Sequence, residues 1–366
     1  MKIKNLKQIA LALVALAALQ ACENDFIIND PTITVNDPEI NVDNPNGGAE
    51  NPTDPTNQDD PNAPAEGFPN VITITETGLY PEGIDFNTIN GQFVVGSITR
   101  SEVGYVNAAG DYETFVSEDN LRSVTGVFTD EDRNRLLAVS GDLGFSRNSV
   151  AQGSWAYLGI YDLATGELIE GVNLGALLPS GTPVFANDIA VDNEGNIYVT
   201  DSFSPVIYRV DGLTFEASIF VNGGEDFTPA PGGFGLNGIV FIEDFLIVNK
   251  LDDGRLFRVD IDQPENFYPV NAPLFVGADG LELTANGDIV LVENGLGNNP
   301  GTQLLRSEDN EWHNAELIGT FPVAAEKFPT TAALANGEIF VLNAYLSLAL
   351  SGDFSQETFT IVRTNQ

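Results

Sequence analysis

The 366-residue sequence contains a single cysteine, Cys22, and a single histidine, His313. One cysteine cannot close an internal disulfide, and one histidine excludes a His–His dyad and most imidazole-based metal centres. Basic residues are scarce: 15 Lys and Arg stand against 53 Asp and Glu, a formal net charge of −38. That excludes nucleic acid as a natural partner, because phosphate binding needs clustered Lys and Arg. It also disfavours docking on anionic lipid. No Gly-x-Ser-x-Gly occurs, nor any other Ser, Cys or His nucleophile constellation. Sustained helical periodicity is missing. So are long apolar runs: Ile9–Leu19 covers about eleven residues, where a membrane span needs about 20. What is abundant is glycine, 36 residues, and proline, 20, beside a hydrophobic content of 43%. This composition suits turn-rich β structure with a sizeable core.

The chain divides into three parts. Residues 1–21 carry Lys2, Lys4 and Lys7 ahead of the apolar run and read as a secretory signal. The run ends in Leu19-Gln20-Ala21-Cys22, which resembles a bacterial lipobox and implies cleavage before Cys22 and acylation of its thiol. Residues 22–70 read as a tether. Beyond Cys22 this stretch has 11 acidic residues, no basic ones and eight prolines. It cannot bury enough apolar surface to offset its ordering entropy, so an extended, disordered linker is expected. Glu23 and Asp25 resemble the acidic export signal of surface lipoproteins in some Gram-negative bacteria. The expected location is the bacterial cell envelope, lipid-anchored at the outer membrane or cell surface. Membrane contact would run through the N-terminal lipid only.

Residues 71–366 hold 12 basic and 42 acidic residues, a net −30, so the acidity is not confined to the tether. Solubility in salty surroundings would account for such a charge by itself. This part repeats. A small polar anchor, an apolar strand, a tight turn and a second apolar strand recur six times, with anchors Glu82, Thr125, Asn187, Asn237, Asp279 and Thr330. Turns such as Asn90-Gly91, Asn286-Gly287 and Asn336-Gly337 are strong hairpin signals. Six copies at about 49 residues each fit blades of four short strands. The expected fold is all-β, a six-bladed β-propeller. A sandwich or solenoid would not repeat one anchor six times. Val71–Glu76 should close the ring as an outer strand of the last blade beside Phe359–Arg363.

First strands line a propeller's channel, so the six anchors should form one ring around the axis. All six carry oxygen, and an oxygen set with two carboxylates favours a hard divalent ion such as Ca²⁺. The ends of the second strands should lie at the same edge. They read Ser140-Gly141-Asp142, Thr200-Asp201, Asn249-Lys250, Glu293-Asn294 and Leu342-Asn343. Five longer connections open there too, between 143 and 154, 175 and 186, 222 and 235, 295 and 302, and 344 and 354. They carry Phe145, Arg147, Phe227, Phe234 and Tyr345 as candidate substrate contacts. His313 is expected to be a plain surface residue.

Pro81-Glu82-Gly83-Ile84-Asp85-Phe86, Phe185-Ala186-Asn187-Asp188-Ile189, Leu236-Asn237-Gly238-Ile239 and Ala278-Asp279-Gly280-Leu281 resemble the regucalcin/gluconolactonase (SMP-30-like) family of six-bladed propellers. The resemblance implies a catalytic divalent cation held by Glu82, Asn237 and Asp279, with Asn187 beside it. It implies a metal-dependent hydrolase acting on a small-molecule lactone or ester, with Asp279 as ligand and general base, and a monomer. Asp201, Asn249, Lys250 and Glu293 become candidate substrate-binding residues, with Lys250 and Asn249 available to an oxyanion. Two departures qualify this. Sugar-lactonase members carry Arg where this chain has Phe185, which favours a less polar substrate. The His dyad of the related paraoxonases is impossible here. The alternative is a non-catalytic binding module in which the ion is structural.

Overall fold

A computed structural model describes residues 67–364. The signal segment, Cys22 and most of the tether lie outside the described residues. Its regular structure is almost wholly strand, joined by turns and loops, with one short helix, Leu346–Leu350, and three 3₁₀ turns. No helix among the described residues is long and apolar enough to cross a membrane.

The strands form six four-stranded antiparallel blades. Their inner strands are Pro81–Asn87, Ser123–Asp130, Val184–Val191, Leu236–Ile242, Ala278–Leu283 and Pro329–Ala335. Each inner strand touches the next, and the sixth touches the first, so the ring closes. Blades two and three are also joined by a parallel pairing of Val184 with Ser154 and Phe185 with Trp155.

Burial explains the pattern of the second strands. Phe245–Lys250, Ile289–Glu293 and Arg135–Gly141 are buried along their whole length. Each is covered by a neighbouring blade on both faces, so it reads as a continuous apolar run instead of an alternating one. Outer strands such as Leu168–Asn173 and Ala315–Pro322 face solvent and lose that pattern.

Closure falls where the sequence places it. Val71–Thr75 pairs antiparallel with Thr358–Arg363, from Val71 opposite Val362 to Thr75 opposite Thr358. Alternate side chains point inward, and Ile72 and Ile74 are completely buried. Just before the strand, Phe68 packs 5.4 Å from Phe86, 5.3 Å from Phe93 and 5.7 Å from Phe340. Arg363 secures the same segment, its amide donating to Asn70 and its guanidinium to the Phe68 carbonyl. Phe86 and Phe93 flank the tight turn of blade one. The chain therefore enters the propeller on the turn face, opposite the anchors.

This closure should carry much of the stability. Ile72, Ile74 and Phe68 bury apolar surface worth about 1.5–3 kcal/mol each. A chain starting at Gly67 should melt like the full chain, whereas one starting at Thr77 should melt lower by roughly 10 °C or more. Equal melting temperatures would contradict closure by the N-terminal strand.

Candidate axial site

Every inner strand is irregular at its anchor. The register against the second strand shifts between Pro81 and Ile84, Val124 and Gly126, Ala186 and Ile189, Leu236 and Ile239, Ala278 and Leu281, and Pro329 and Ala332. Glu82, Thr125, Asn187, Asn237, Asp279 and Thr330 occupy those shifts. A β-bulge re-aims a side chain, and bulges cluster beside functional sites. Four anchors are followed by glycine, and these glycines lie inside strands, not in turns. A Cβ on Gly83 would sit 2.6 Å from the Thr125 carbonyl oxygen, one on Gly126 2.7 Å from that of Asn187, and one on Gly238 2.5 Å from that of Asp279. Only glycine lets neighbouring inner strands approach this closely at the axis.

Side chains lace the blades into a hoop. Thr125 Oγ1 donates to the Ala186 carbonyl at 3.0 Å, Thr200 Oγ1 to Asn237 at 2.6 Å, Asn249 Nδ2 to Asp279 at 2.6 Å and Thr330 Oγ1 to Glu82 at 2.8 Å. Each bond runs from one blade to the next and fixes an anchor or its neighbour.

Inside the hoop sit Glu82, Asn187, Asn237 and Asp279, none more than 8% exposed. Asp279 Oδ2 accepts Asn294 Nδ2 at 2.8 Å. The Asn237 side chain also lies close to the Asp279 carboxylate and favours its charged form. Asn187 Nδ2 donates to Ser202 Oγ at 2.9 Å, and Ser202 Oγ to the Leu236 carbonyl at 2.6 Å. Burial pushes the Asp279 carboxyl up to about 7 against the bonds from Asn294 and Asn237, and the charge of Asp188 adds to the rise. Burial, then the charges of Asp279 and Asp188, hold Glu82 well above the usual carboxylate range. Among the described residues neither carboxylate forms a salt bridge.

The acidity continues down the axis. Asp85, Asp188 and Glu282 line a cavity of about 220 Å³ between the inner strands. Asp85 accepts Thr129 N at 2.6 Å and Phe86 N at 2.7 Å, and Asp188 accepts Ile189 N at 2.9 Å. Burial nonetheless pushes Asp85 up to about 6, Asp188 to about 7 and Glu282 well above its usual range. The three went unremarked in the sequence. The available signal was spacing: Glu82 and Asp85, like Asp279 and Glu282, are three apart across a bulge.

The remaining candidates have other surroundings. Asp201 accepts the amides of Phe185, Phe203 and Ser204 and the Tyr208 hydroxyl at 2.8–2.9 Å, which ties down a loop. Asn249 spans Gly238 and Asp279. Lys250 is buried between Asp252 and Asp253, 2.7 Å from each. Glu293 accepts the Asn299 amide at 3.1 Å and faces Gln303, while its neighbour Asn294 holds Asp279. Phe227 is buried against Phe257 and Phe267. Phe145 packs on Phe354, Arg147 reaches Glu102 and Ser117, and Tyr345 abuts Phe359. His313 is exposed, 3.0 Å from Asp309 and stacked on Tyr268.

Among the described residues no group of three His, Cys, Asp or Glu side chains converges on one point. The axial donor set is thus two carboxylates plus asparagine oxygens. Oxygen-only donors with two buried, mutually repelling carboxylates and no cationic partner fit a hard divalent cation.

No protein-family model matches the sequence, and no curated protein matches it. Solved structures share its fold. The major Malassezia sympodialis allergen Mala s 1 aligns with a TM-score of 0.64 at 18% identity, over 82% of this chain and 97% of its own. A Xanthomonas campestris gluconolactonase aligns with a TM-score of 0.55 at 13% identity, over 80% and 89%. The calcium-binding protein regucalcin of Agrobacterium tumefaciens aligns with a TM-score of 0.53 at 16% identity, over 79% and 94%. At these identities the likeness is one of fold.

The axial carboxyls set a pH dependence. Their folded pKa values lie above the unfolded ones, so their contribution to stability is fully present below about pH 4 and is lost as pH rises through about 6 to 7. In chelator, the melting temperature should fall between pH 5 and pH 8. Asp188→Asn should flatten that fall and raise the pH 8 value by roughly 5 °C. An unchanged slope in the variant would place the pH dependence elsewhere.

Proposed function

We propose that the chain is a lipid-anchored, divalent-metal-dependent hydrolase of a lactone or ester, related to the regucalcin/gluconolactonase propellers, with Ca²⁺ as the cation. One observation carries this reading: Glu82 and Asp279 are buried together at the axis beside Asn237, and among the described residues no Lys or Arg forms a salt bridge with them. Glu82, Asn237 and Asp279 would hold the ion. A bound divalent cation polarises a carbonyl and lowers the pKa of a bound water. Asp279 lies at the oxygen ring, where a bound cation would keep its carboxyl ionised and able to accept a proton from an attacking water. Asn294 holds that carboxylate in place. Asn187, steadied by Ser202, is available to a substrate oxygen. Lys250 and Asn249 are engaged elsewhere and are assigned no chemical step.

The anchor would be acylated Cys22 at the outer membrane or cell surface. The described chain begins on the turn face, which supports a reading in which the tether leaves from the side opposite the oxygen ring.

A second reading has its own support. Glu82, Asn237 and Asp279 come from blades one, four and five, so an ion among them would also tie the ring together in a non-catalytic binding protein. Asp279→Asn separates the two, since it keeps the shape and the bond from Asn294 but removes the base. A hydrolase should lose about 10²-fold or more in turnover of lactones and esters, with the fold intact by circular dichroism. A purely structural ion predicts no wild-type turnover and a lowered calcium-dependent melting temperature in the variant.

A further inference from the structure

We infer that Phe185, Phe203 and Phe234 form an aromatic shelf beside the axial oxygens that takes the apolar alkyl or aryl tail of the substrate. This deepens the hydrolase reading and rests on it.

The three rings form a group of their own. Phe185 lies 5.1 Å from Phe203 and 5.8 Å from Phe234, and Phe203 lies 5.2 Å from Phe234. They come from three places in the chain: the start of the third inner strand, a tight loop after Asp201, and the connection into the fourth blade. None packs within the apolar clusters that fill the blades. Phe185 is buried at the base, while Phe203 and Phe234 are only half-buried. Aromatic side chains supply much apolar area at small entropic cost, and a partly open pair outside any core is unusual unless something covers it.

Backbone bonds fix this group to the oxygen ring. The Ser202 amide donates to the Phe185 carbonyl at 2.9 Å, and the Gly235 amide to the Ser202 carbonyl at 2.8 Å. Ser202 is the residue that steadies Asn187. Phe185 precedes Asn187 by two residues, Phe203 follows Ser202, and Phe234 precedes Asn237 by three. The backbone thus ties the segments that carry the three rings to the Asn187–Ser202–Asn237 sector, on the loop face. Asp201 accepts both the Phe185 and Phe203 amides and so fixes the spacing of two of them. A polyhydroxylated substrate would leave its hydroxyls unpaired against this surface. An alkyl or aryl substituent would be desolvated by it.

The test uses the full-length chain loaded with calcium and two probe series: γ-lactones with alkyl tails of increasing length, and the matching γ-lactams, which resist hydrolysis. Wild-type kcat/KM and lactam affinity should each rise about three- to fourfold per added methylene over the first few. Phe203→Ala/Phe234→Ala should abolish that rise and cost long tails about tenfold or more. The shortest lactone, the calcium content and the melting temperature should be unchanged, and Phe234→Leu should restore part of the slope. Hydrolysis with no tail dependence, or equal losses for short and long tails, overturns the shelf and leaves the hydrolase standing. Tail-dependent lactam binding that the double variant loses, with no lactone hydrolysed, keeps the shelf and overturns the hydrolase. Neither binding nor turnover overturns both.

Discussion

The structure depends on how six inner strands are crowded around one axis. At the level of the anchors there is room for backbone and little else. Glycine at 83, 126 and 238 and hydroxyl or amide struts from Thr125, Thr200, Asn249 and Thr330 meet that constraint together. The crowding has an electrostatic consequence. Bulges turn the anchor side chains toward the axis, so any carboxylates there share one poorly solvated space. Burial penalises each charge, and each charge raises its neighbours. Burial raises the pKa of Glu82, Asp279, Asp188, Asp85 and Glu282, and the charge of another axial carboxylate adds to the rise for all but Asp85.

Such a column costs stability unless something offsets it. Buried charges ordinarily pair with an opposite charge or coordinate a metal. Among the described residues the cations pair elsewhere, as with Arg135 on Asp130, Lys250 on Asp252 and Asp253, and Arg306 on Asp288. Leaving the axis without a basic residue fits a site that recruits its counter-charge from solution. The same uncompensated charge that makes the site costly is what would polarise a substrate carbonyl through a bound cation.

Much of the architecture was legible in the sequence because it follows from short-range rules. Apolar runs bounded by Asn-Gly turns mark hairpins, and six evenly spaced copies mark blades. The pairing of Val71–Thr75 with the last blade was also legible, since an odd strand before the first anchor needs a partner. The anchor ring could be read because each anchor holds the same position in its repeat. The second ring was less readable. A polar residue at a strand end can face the axis or its own loop, and sequence does not tell which. Asp201 and Glu293 turn to loop amides, while Asn294, one position on, turns to Asp279. The lower carboxylates escaped notice because a bulge breaks the two-residue alternation that would have flagged them. Phe185 was noticed as a departure, but its partners Phe203 and Phe234 are set by loop geometry.

The central claim is that the axial oxygens hold a divalent cation. Equilibrium dialysis against calcium with elemental analysis tests it most directly, on wild type beside Glu82→Gln. Glu82 makes no side-chain hydrogen bond among the described residues, so its loss should disturb little except the ion. We predict one tightly held ion per wild-type chain, and a loss of affinity of about tenfold or more in the variant at unchanged fold. Equal binding by both chains, or no binding by either, would contradict the account.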